Sequence, residues 1–261
     1  MTVQIFMGDS DTFEQQQQSI RRSTTDCLDI KAQKTMQAER WLIVGAGGFG
    51  REVYSWTLGH LHSTAADFPV QFLDDNPECL DRFPELRSMW LERISTYSPR
   101  PGDRLLMAIA DPGAKLTAGA TLISRGATFA SYIHPTAVLA HDFKIGIGCI
   151  ICPLSVICCN VRIGDFVSMN VGALAGHDSV VHDGCTLSPH SNVAGQVDLE
   201  RGVFLGCQTV ILPKIRIGEF ARIGAGSTVI SHVRPHTTMM GVPAKRVSWS
   251  KNQDAADHKA A

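Results

Sequence analysis

The residues in this chain best suited to proton transfer are histidines, and two of them stand in the same local setting. His141-Asp142 and His177-Asp178 are adjacent pairs separated by 36 positions. An imidazole titrates in the range a general base needs near neutral pH. It is also a good zinc ligand when neutral, and His182, five residues beyond His177, offers a third ring. A second kind of chemistry is suggested near residue 45. The run Gly45-Ala46-Gly47-Gly48-Phe49-Gly50 follows the apolar segment Trp41-Leu42-Ile43-Val44 and precedes a helical stretch from Arg51 to Trp56. Strand, glycine turn and helix are the parts of a phosphate cradle, in which backbone amides and a helix N-terminus face an anion. The same glycines also suit a tight β–α turn with no ligand.

The elements that must position these groups are legible as a repeat. Seventeen six-residue units run from Ile133 to Arg234, and the first position of each is large and aliphatic or Met, except for Ala175. The fifth position is mostly small or β-branched, and the second is rich in glycine: Gly146, Gly164, Gly176, Gly206, Gly218 and Gly224. Pro135, Pro153, Pro189 and Pro213 all fall on the third position, a turn slot. A period of six predicts a short strand and a turn made repeatedly. In such a frame, residues eighteen apart stack on successive coils. The column through His177 reads His141, Cys159, His177, Gly195, Pro213. The frame alone does not choose between the two His-Asp pairs. Ala175, which thins the core slot beside it, and Gly176 favour His177. Gly195, one coil on, has no side chain and so leaves room and an exposed amide in the same column.

Ahead of the repeat, Val70 to Leu73 reads as a second strand ending in Asp74-Asp75, and Leu105 to Ala110 as a third, ending at Asp111. The acidic pair lies near the distance at which such a domain meets a ribose. Too few residues precede the repeat for a six-stranded dinucleotide domain, which excludes an ordinary NAD-dependent oxidoreductase and suits a single nucleotide. The expected organisation is a disordered polar tail over 1–40, a Rossmann-like domain over 41–130, a β-helix over 131–234 and a C-terminal extension over 235–261. Met36 is a candidate true start.

Bulk properties narrow the class. The chain has 261 residues and a net charge of −1. That is not the basic surface of a nucleic-acid binder, and no apolar run is long enough for a bilayer. The N-terminus lacks the order of a secretory signal. The eight cysteines include several in repeat slots, which reads as reduced thiols and a cytoplasmic location.

Taken together, the repeat resembles the hexapeptide-repeat left-handed parallel β-helices. The order of parts resembles the bacterial sugar acyltransferases of the PglD and NeuD type. The resemblance rests on the Gly45–Gly50 loop, Phe72-Leu73-Asp74-Asp75, Asn170 followed by His177-Asp178, and Gly241-Val242-Pro243-Ala244-Lys245. It implies an α/β plus all-β chain, with a small Rossmann-like domain followed by a left-handed parallel β-helix. It further implies a homotrimer with ligand sites between prisms, and acetyl transfer from acetyl-CoA to a nucleotide-linked amino sugar in glycan or surface-polysaccharide precursor synthesis. His177 matches the family's base, Asp178 the acidic neighbour that raises its basicity, and Asn170 a polar residue near the reacting centre. Gly47, Gly48 and Phe49 match the nucleotide-sugar loop, where many relatives have histidine in place of Phe49. Asp74 and Asp75 match its acidic contacts, while Asp111 stands where relatives often have asparagine. Gly195, Gly206 and Ala225 match positions lining acetyl-CoA, with room and an amide at Gly195 for the thioester carbonyl where charge develops, and Lys245 and Arg246 are candidates for its phosphates. No metal is expected.

Three other readings are carried forward. The first is a sialic-acid-type O-acetyltransferase. The second is a zinc enzyme similar to γ-class carbonic anhydrases, with His141, His177 and His182 as ligands supplied partly by a neighbouring subunit. The third is a non-catalytic trimeric sugar-nucleotide-binding scaffold.

Overall fold

The computed structural model describes residues 40–63 and 69–247, with the side chains of 60–63 left aside. The polar tail, apart from Arg40, and the candidate start at Met36 lie outside the described residues. The front domain runs β1 (Arg40–Val44), α1 (Gly48–Ser63), β2 (Val70–Leu73), α2 (Pro84–Arg87), β3 (Trp90–Glu92), β4 (Asp103–Met107) and α3 (Pro112–Ser124). Its four strands lie in the order β3-β2-β1-β4 and every pairing is parallel. Trp41 to Val44 are all buried, as expected of a parallel strand covered on both faces.

Three details differ from the sequence reading. The strand expected over Leu105 to Ala110 begins at Asp103 and ends at Met107. Its polar start is anchored by partners distant in sequence. The Arg40 guanidinium donates to Asp103 at 2.6 and 3.1 Å, the Tyr97 hydroxyl donates to the same carboxylate, and the Arg100 amide adds a bond of 2.8 Å. Burial would raise the Asp103 carboxyl, but the bonds from Arg40 and Tyr97 outweigh it and hold the group below its ordinary value. Arg40 is therefore part of β1 rather than of the tail. The three-residue β3 has no expected counterpart, because its Trp-Leu-Glu sequence is only half-buried and lacks an apolar run.

The rest of the chain is a left-handed parallel β-helix. Two-residue strands recur from β5 (Tyr132–Ile133) to β21 (Thr228–Val229). Face one carries β5, β8 (Ile150–Ile151), β11 (Ser168–Met169), β14 (Thr186–Leu187), β17 (Phe204–Leu205) and β20 (Arg222–Ile223), followed by β22 (Thr238–Met240) and β23 (Lys245–Arg246). Face two carries β6 (Val138–Leu139), β9 (Val156–Ile157), β12 (Leu174–Ala175), β15 (Asn192–Val193), β18 (Val210–Ile211) and β21, and face three β7 (Lys144–Ile145), β10 (Arg162–Ile163), β13 (Val180–Val181), β16 (Asp198–Leu199) and β19 (Arg216–Ile217). Strands pair eighteen residues apart, as when Ala175 in β12 (Leu174–Ala175) lies between Ile157 and Val193. The first residue of each hexapeptide points inward, and these side chains stack into one continuous core. Corners turn through left-handed backbone at every sixth residue, including Asn160, Asp178, Gln196 and Lys214 at φ values of 56°, 59°, 59° and 63°.

The repeat does not stay regular to Arg234. Val229 pairs with Ile211 in the eighteen-residue register, but Val233 bridges Ile217 and Met239 pairs with Ile223. Two residues are lost between Val229 and Val233. At the slip, His232 Nδ1 accepts the Arg216 amide at 2.9 Å. In earlier coils a backbone carbonyl accepts the equivalent bond, as Ser179 does from Arg162 and Ile215 from Asp198.

Face one is covered by the front domain. Lys115 of α3 is fully buried there, with Nζ 2.8 Å from Ser168 Oγ and 3.4 Å from the Cys185 carbonyl. Desolvation pushes its amine down to about 8. Thr186 Oγ1 donates to the Ala110 carbonyl at 2.7 Å, and Phe129 meets Phe166 edge to face at 4.9 Å. Gly119 lets α3 lie close, since a Cβ there would stand 2.8 Å from the Phe166 ring.

Candidate active site

His177 sits on the turn that follows β12, on the edge between faces two and three. Its neighbours in sequence are chosen by close packing. A Cβ on Gly176 would lie 2.6 Å from the Ala194 carbonyl carbon, and Ala175 is wholly buried in the core. The imidazole is more than half exposed and extends along the edge toward the next coil. Its Nδ1 lies 2.8 Å from Asp178 Oδ2. The other oxygen of Asp178 accepts from Asn160 Nδ2, also at 2.8 Å. The hydrogen bond with His177, then that from Asn160, holds the Asp178 carboxyl below its ordinary value. An ionised carboxylate only accepts, so Nδ1 carries a proton, and in the neutral ring Nε2 is the nitrogen with the lone pair.

That Nε2 faces Gly195. A Cβ on Gly195 would stand 2.3 Å from Nε2 and 2.5 Å from Cε1. The expectation that Gly195 leaves room for a thioester carbonyl is thereby corrected: the space above it is filled by the His177 ring. Gly195 is needed so that the ring can lie flat against the next coil. Its carbonyl accepts from the Lys214 amide at 3.1 Å.

The geometry separates the two His-Asp pairs. Among the described residues, histidine–carboxylate contacts occur at His177–Asp178 and at His182–Asp198, not at His141–Asp142. His182 Nε2 lies 3.0 Å from Asp198 Oδ1. It stands on the edge between faces three and one, away from the edge that carries His141 and His177. Among the described residues no three His, Cys, Asp or Glu of this chain are grouped to hold a metal ion.

Asn170 follows β11 (Ser168–Met169) and so stands on the edge between faces one and two. Its Oδ1 accepts from the Val171 amide at 2.7 Å. One chain does not bring it to His177. Gly206 and Ala225 share its edge, and a Cβ on Gly206 would meet the Ala225 nitrogen at 2.5 Å. Lys245 and Arg246 are exposed on β23, antiparallel to β22 at the end of face one. The residues expected around acetyl-CoA thus divide between two edges of a single prism.

In the front domain, Gly47 and Gly48 are exposed, and a Cβ on either would meet nothing within 4 Å. They open onto the N-terminus of the sixteen-residue α1, whose first turn carries no acidic residue. Phe49 turns back and packs into the core. Asp74 closes the loop rather than standing free: its Oδ2 accepts from the Ala46 amide at 2.8 Å and its Oδ1 from Asn76 at 2.9 Å. Asp75 accepts from the Ser95 amide at 2.9 Å. Asp111 caps α3 through the Ala114 amide and pairs with Arg222 of the β-helix at 2.6 Å, so it ties the two domains together. Asn160 was absent from the sequence reading, although counting eighteen back from Asp178 reaches it.

Comparison with known proteins bears on the fold and the order of parts. PerB from Caulobacter crescentus, solved in complex with CoA and GDP-perosamine, is 27% identical with a TM-score of 0.66, over 80% of this chain and 97% of that one. The chain resembles the hexapeptide-repeat sugar acetyltransferases of the PglD and NeuD type. The acetyltransferase domain of PglB from Neisseria gonorrhoeae, solved with acetyl coenzyme A, shares the fold of this chain. Its TM-score is 0.70 and its identity 20%, over 80% of this chain and 99% of that one. Among curated sequences, the serine acetyltransferase of Salmonella typhimurium is 34% identical over 84 residues, which is 29% of this chain and 31% of that protein. The chain therefore spans about a third of the length of that relative. No family model matches.

Proposed function

We propose that the protein transfers an acetyl group from acetyl-CoA to the amine of a nucleotide-linked amino sugar. The observation that carries this reading is the His177 ring, oriented through Nδ1 by Asp178 with Nε2 free on an exposed edge. As the amine nitrogen attacks the thioester carbonyl, its proton passes to Nε2 and Asp178 stabilises the imidazolium. Collapse of the tetrahedral intermediate breaks the C–S bond, and the proton on Nε2 goes to the departing thiolate. The products are the amide and CoA. The open Gly47-Gly48 loop at the start of α1 receives the diphosphate of the sugar nucleotide, in keeping with the GDP-perosamine bound by PerB.

The working unit is a homotrimer in this proposal. The Asn170, Gly206 and Ala225 edge of one protomer meets the His177 edge of the next, which assembles the groups that one prism holds apart. The thiols of Cys79, Cys152, Cys158, Cys159, Cys185 and Cys207, which form no disulfide, suit a reducing cytoplasm. The biological setting is synthesis of a glycan or surface-polysaccharide precursor. Thiol release from acetyl-CoA, measured against a panel of UDP-, dTDP- and GDP-linked amino sugars, tests the reading. Release with one of them, lost in His177→Ala, is expected. Sugar-nucleotide binding without thiol release would favour a scaffold, and one tightly held zinc per subunit would overturn the acyl-transfer mechanism.

A further inference from the structure

We propose that Asn160, one coil before the His-Asp pair, is a positioning residue that fixes the Asp178 carboxylate so that it can orient His177. The inference rests on His177 acting as the base. Asn160 and Asp178 occupy equivalent corner positions on successive coils, both in left-handed backbone. The Asp178 amide donates to the Cys159 carbonyl at 3.1 Å, so the two corners are locked in register. Within that register the Asn160 amide reaches Asp178 Oδ1 at 2.8 Å while Oδ2 lies 2.8 Å from His177 Nδ1.

The need for a second contact follows from exposure. Asp178 is 42% exposed and His177 57% exposed. The terminal torsion of an aspartate is broad and roughly two-fold, so a carboxylate held at one oxygen alone swings, and its two oxygens trade places between the imidazole and solvent. Clamping both oxygens holds the plane of the group and thereby the ring. An amide donor also favours the ionised carboxylate, as the direction of the Asp178 shift reflects. That is the state that must persist when His177 becomes positively charged. The charged or titratable groups on this edge are His177, Asp178, Cys159 beside Asn160, the pair His141-Asp142 one coil before Asn160, Lys214 two coils beyond Asp178 and His232 after the last face-two strand.

A purely structural role for Asn160 is separable, because asparagine also suits left-handed backbone. Asn160→Gly keeps that conformation and deletes the amide. It is expected to lower kcat about tenfold, the scale of one charge-assisted hydrogen bond, with unchanged KM for acetyl-CoA and unchanged Tm. Asn160→Asp places a second carboxyl opposite Asp178. When that carboxyl is protonated it donates in place of the amide. The activity of Asn160→Asp relative to wild type should therefore rise as pH falls from about 8 to about 6, whereas the ratio for Asn160→Gly should stay flat.

Nitrogen-15 NMR of the His177 ring gives a readout independent of turnover: an Nδ1–H tautomer in the wild type and a tautomer mixture in Asn160→Gly. A wild-type tautomer and wild-type kcat in Asn160→Gly would overturn the proposal. Full activity of His177→Ala, with the tautomer still dependent on Asn160, would instead remove the base assignment and leave the positioning contact standing.

Discussion

Replacing Gly195 by alanine should leave the fold intact and disable the base. The added Cβ would stand 2.3 Å from His177 Nε2, whereas ordinary contact begins at 3.4 Å, so the ring must retreat by about 1.1 Å. The atoms in conflict are the far end of a side chain rather than backbone, and Gly195 is not among the glycines in left-handed conformation. Alanine is therefore accommodated by rotating the imidazole, and reduced freedom of the unfolded chain makes the net change in stability small. Rotation moves Nε2 away from the attacking amine and Nδ1 away from Asp178. A misplacement of this size costs about 100-fold in rate. The expected result, read as thiol release from acetyl-CoA, is a kcat reduced about 100-fold with KM for acetyl-CoA and Tm close to wild type. Because the loss acts through the ring, adding Gly195→Ala to His177→Ala should cost nothing further. Wild-type kcat in Gly195→Ala would refute the reasoning. An equal loss in both backgrounds would show instead that Gly195 acts independently of the ring.

Three other outcomes are expected. His177→Ala should lose about 10²–10⁴ in kcat, the usual contribution of a general base, while His141→Ala, without a carboxylate contact, should lose far less in the same assay. Mixing His177→Ala with Asn170→Ala chains, each inactive alone, should restore up to about a quarter of wild-type activity, because in a closed ring one neighbouring pair in four combines an intact histidine edge with an intact asparagine edge; no recovery after subunit exchange would place both groups' work within one chain. Lys115→Met should raise Tm at neutral pH. The folded amine titrates at about 8 and the free one at 10.5, so burying its charge opposes folding below about 8 and that cost fades between the two values; thermal melts of wild type should rise over this interval, by about 3 kcal/mol in all, and those of Lys115→Met should not.

The coils were legible because a solenoid repeats its chemical demand at every turn: a large inward residue, then a small one, then a corner. Counting by eighteen stacked His177 on Gly195 before any coordinates were needed. Counting did not reveal what fills the space between them, because that depends on the direction of a side chain. The same frame failed at Val233, where a single histidine side chain, His232, replaces a backbone acceptor in the shortened turn. In the front domain, β1 and β2 announced themselves as apolar runs. The start of β4 did not, since Asp103 is stabilised by Arg40 and Tyr97, which are far from it in sequence. Asp74 and Asp75 show the complementary difficulty: their place at a strand end was evident, but their bonds to Ala46 and Ser95 arise only once the loops are folded.

The shortened last turn has a consequence for how the protein behaves in a crowded solution. A stack of parallel strands has no intrinsic length, and its final coil presents unpaired amides and carbonyls on which another chain can grow. Here the two-residue slip redirects the chain so that it folds back over its own end. The Thr228 amide donates to the Gly241 carbonyl at 3.0 Å, the Ala244 amide to the Thr228 carbonyl at 2.7 Å, and β23 runs antiparallel to β22. A further coil would need parallel partners that the reversed strand does not offer. The end of the solenoid is therefore capped by its own chain, with β23 reversed beside the strand on which a further coil would have to pair.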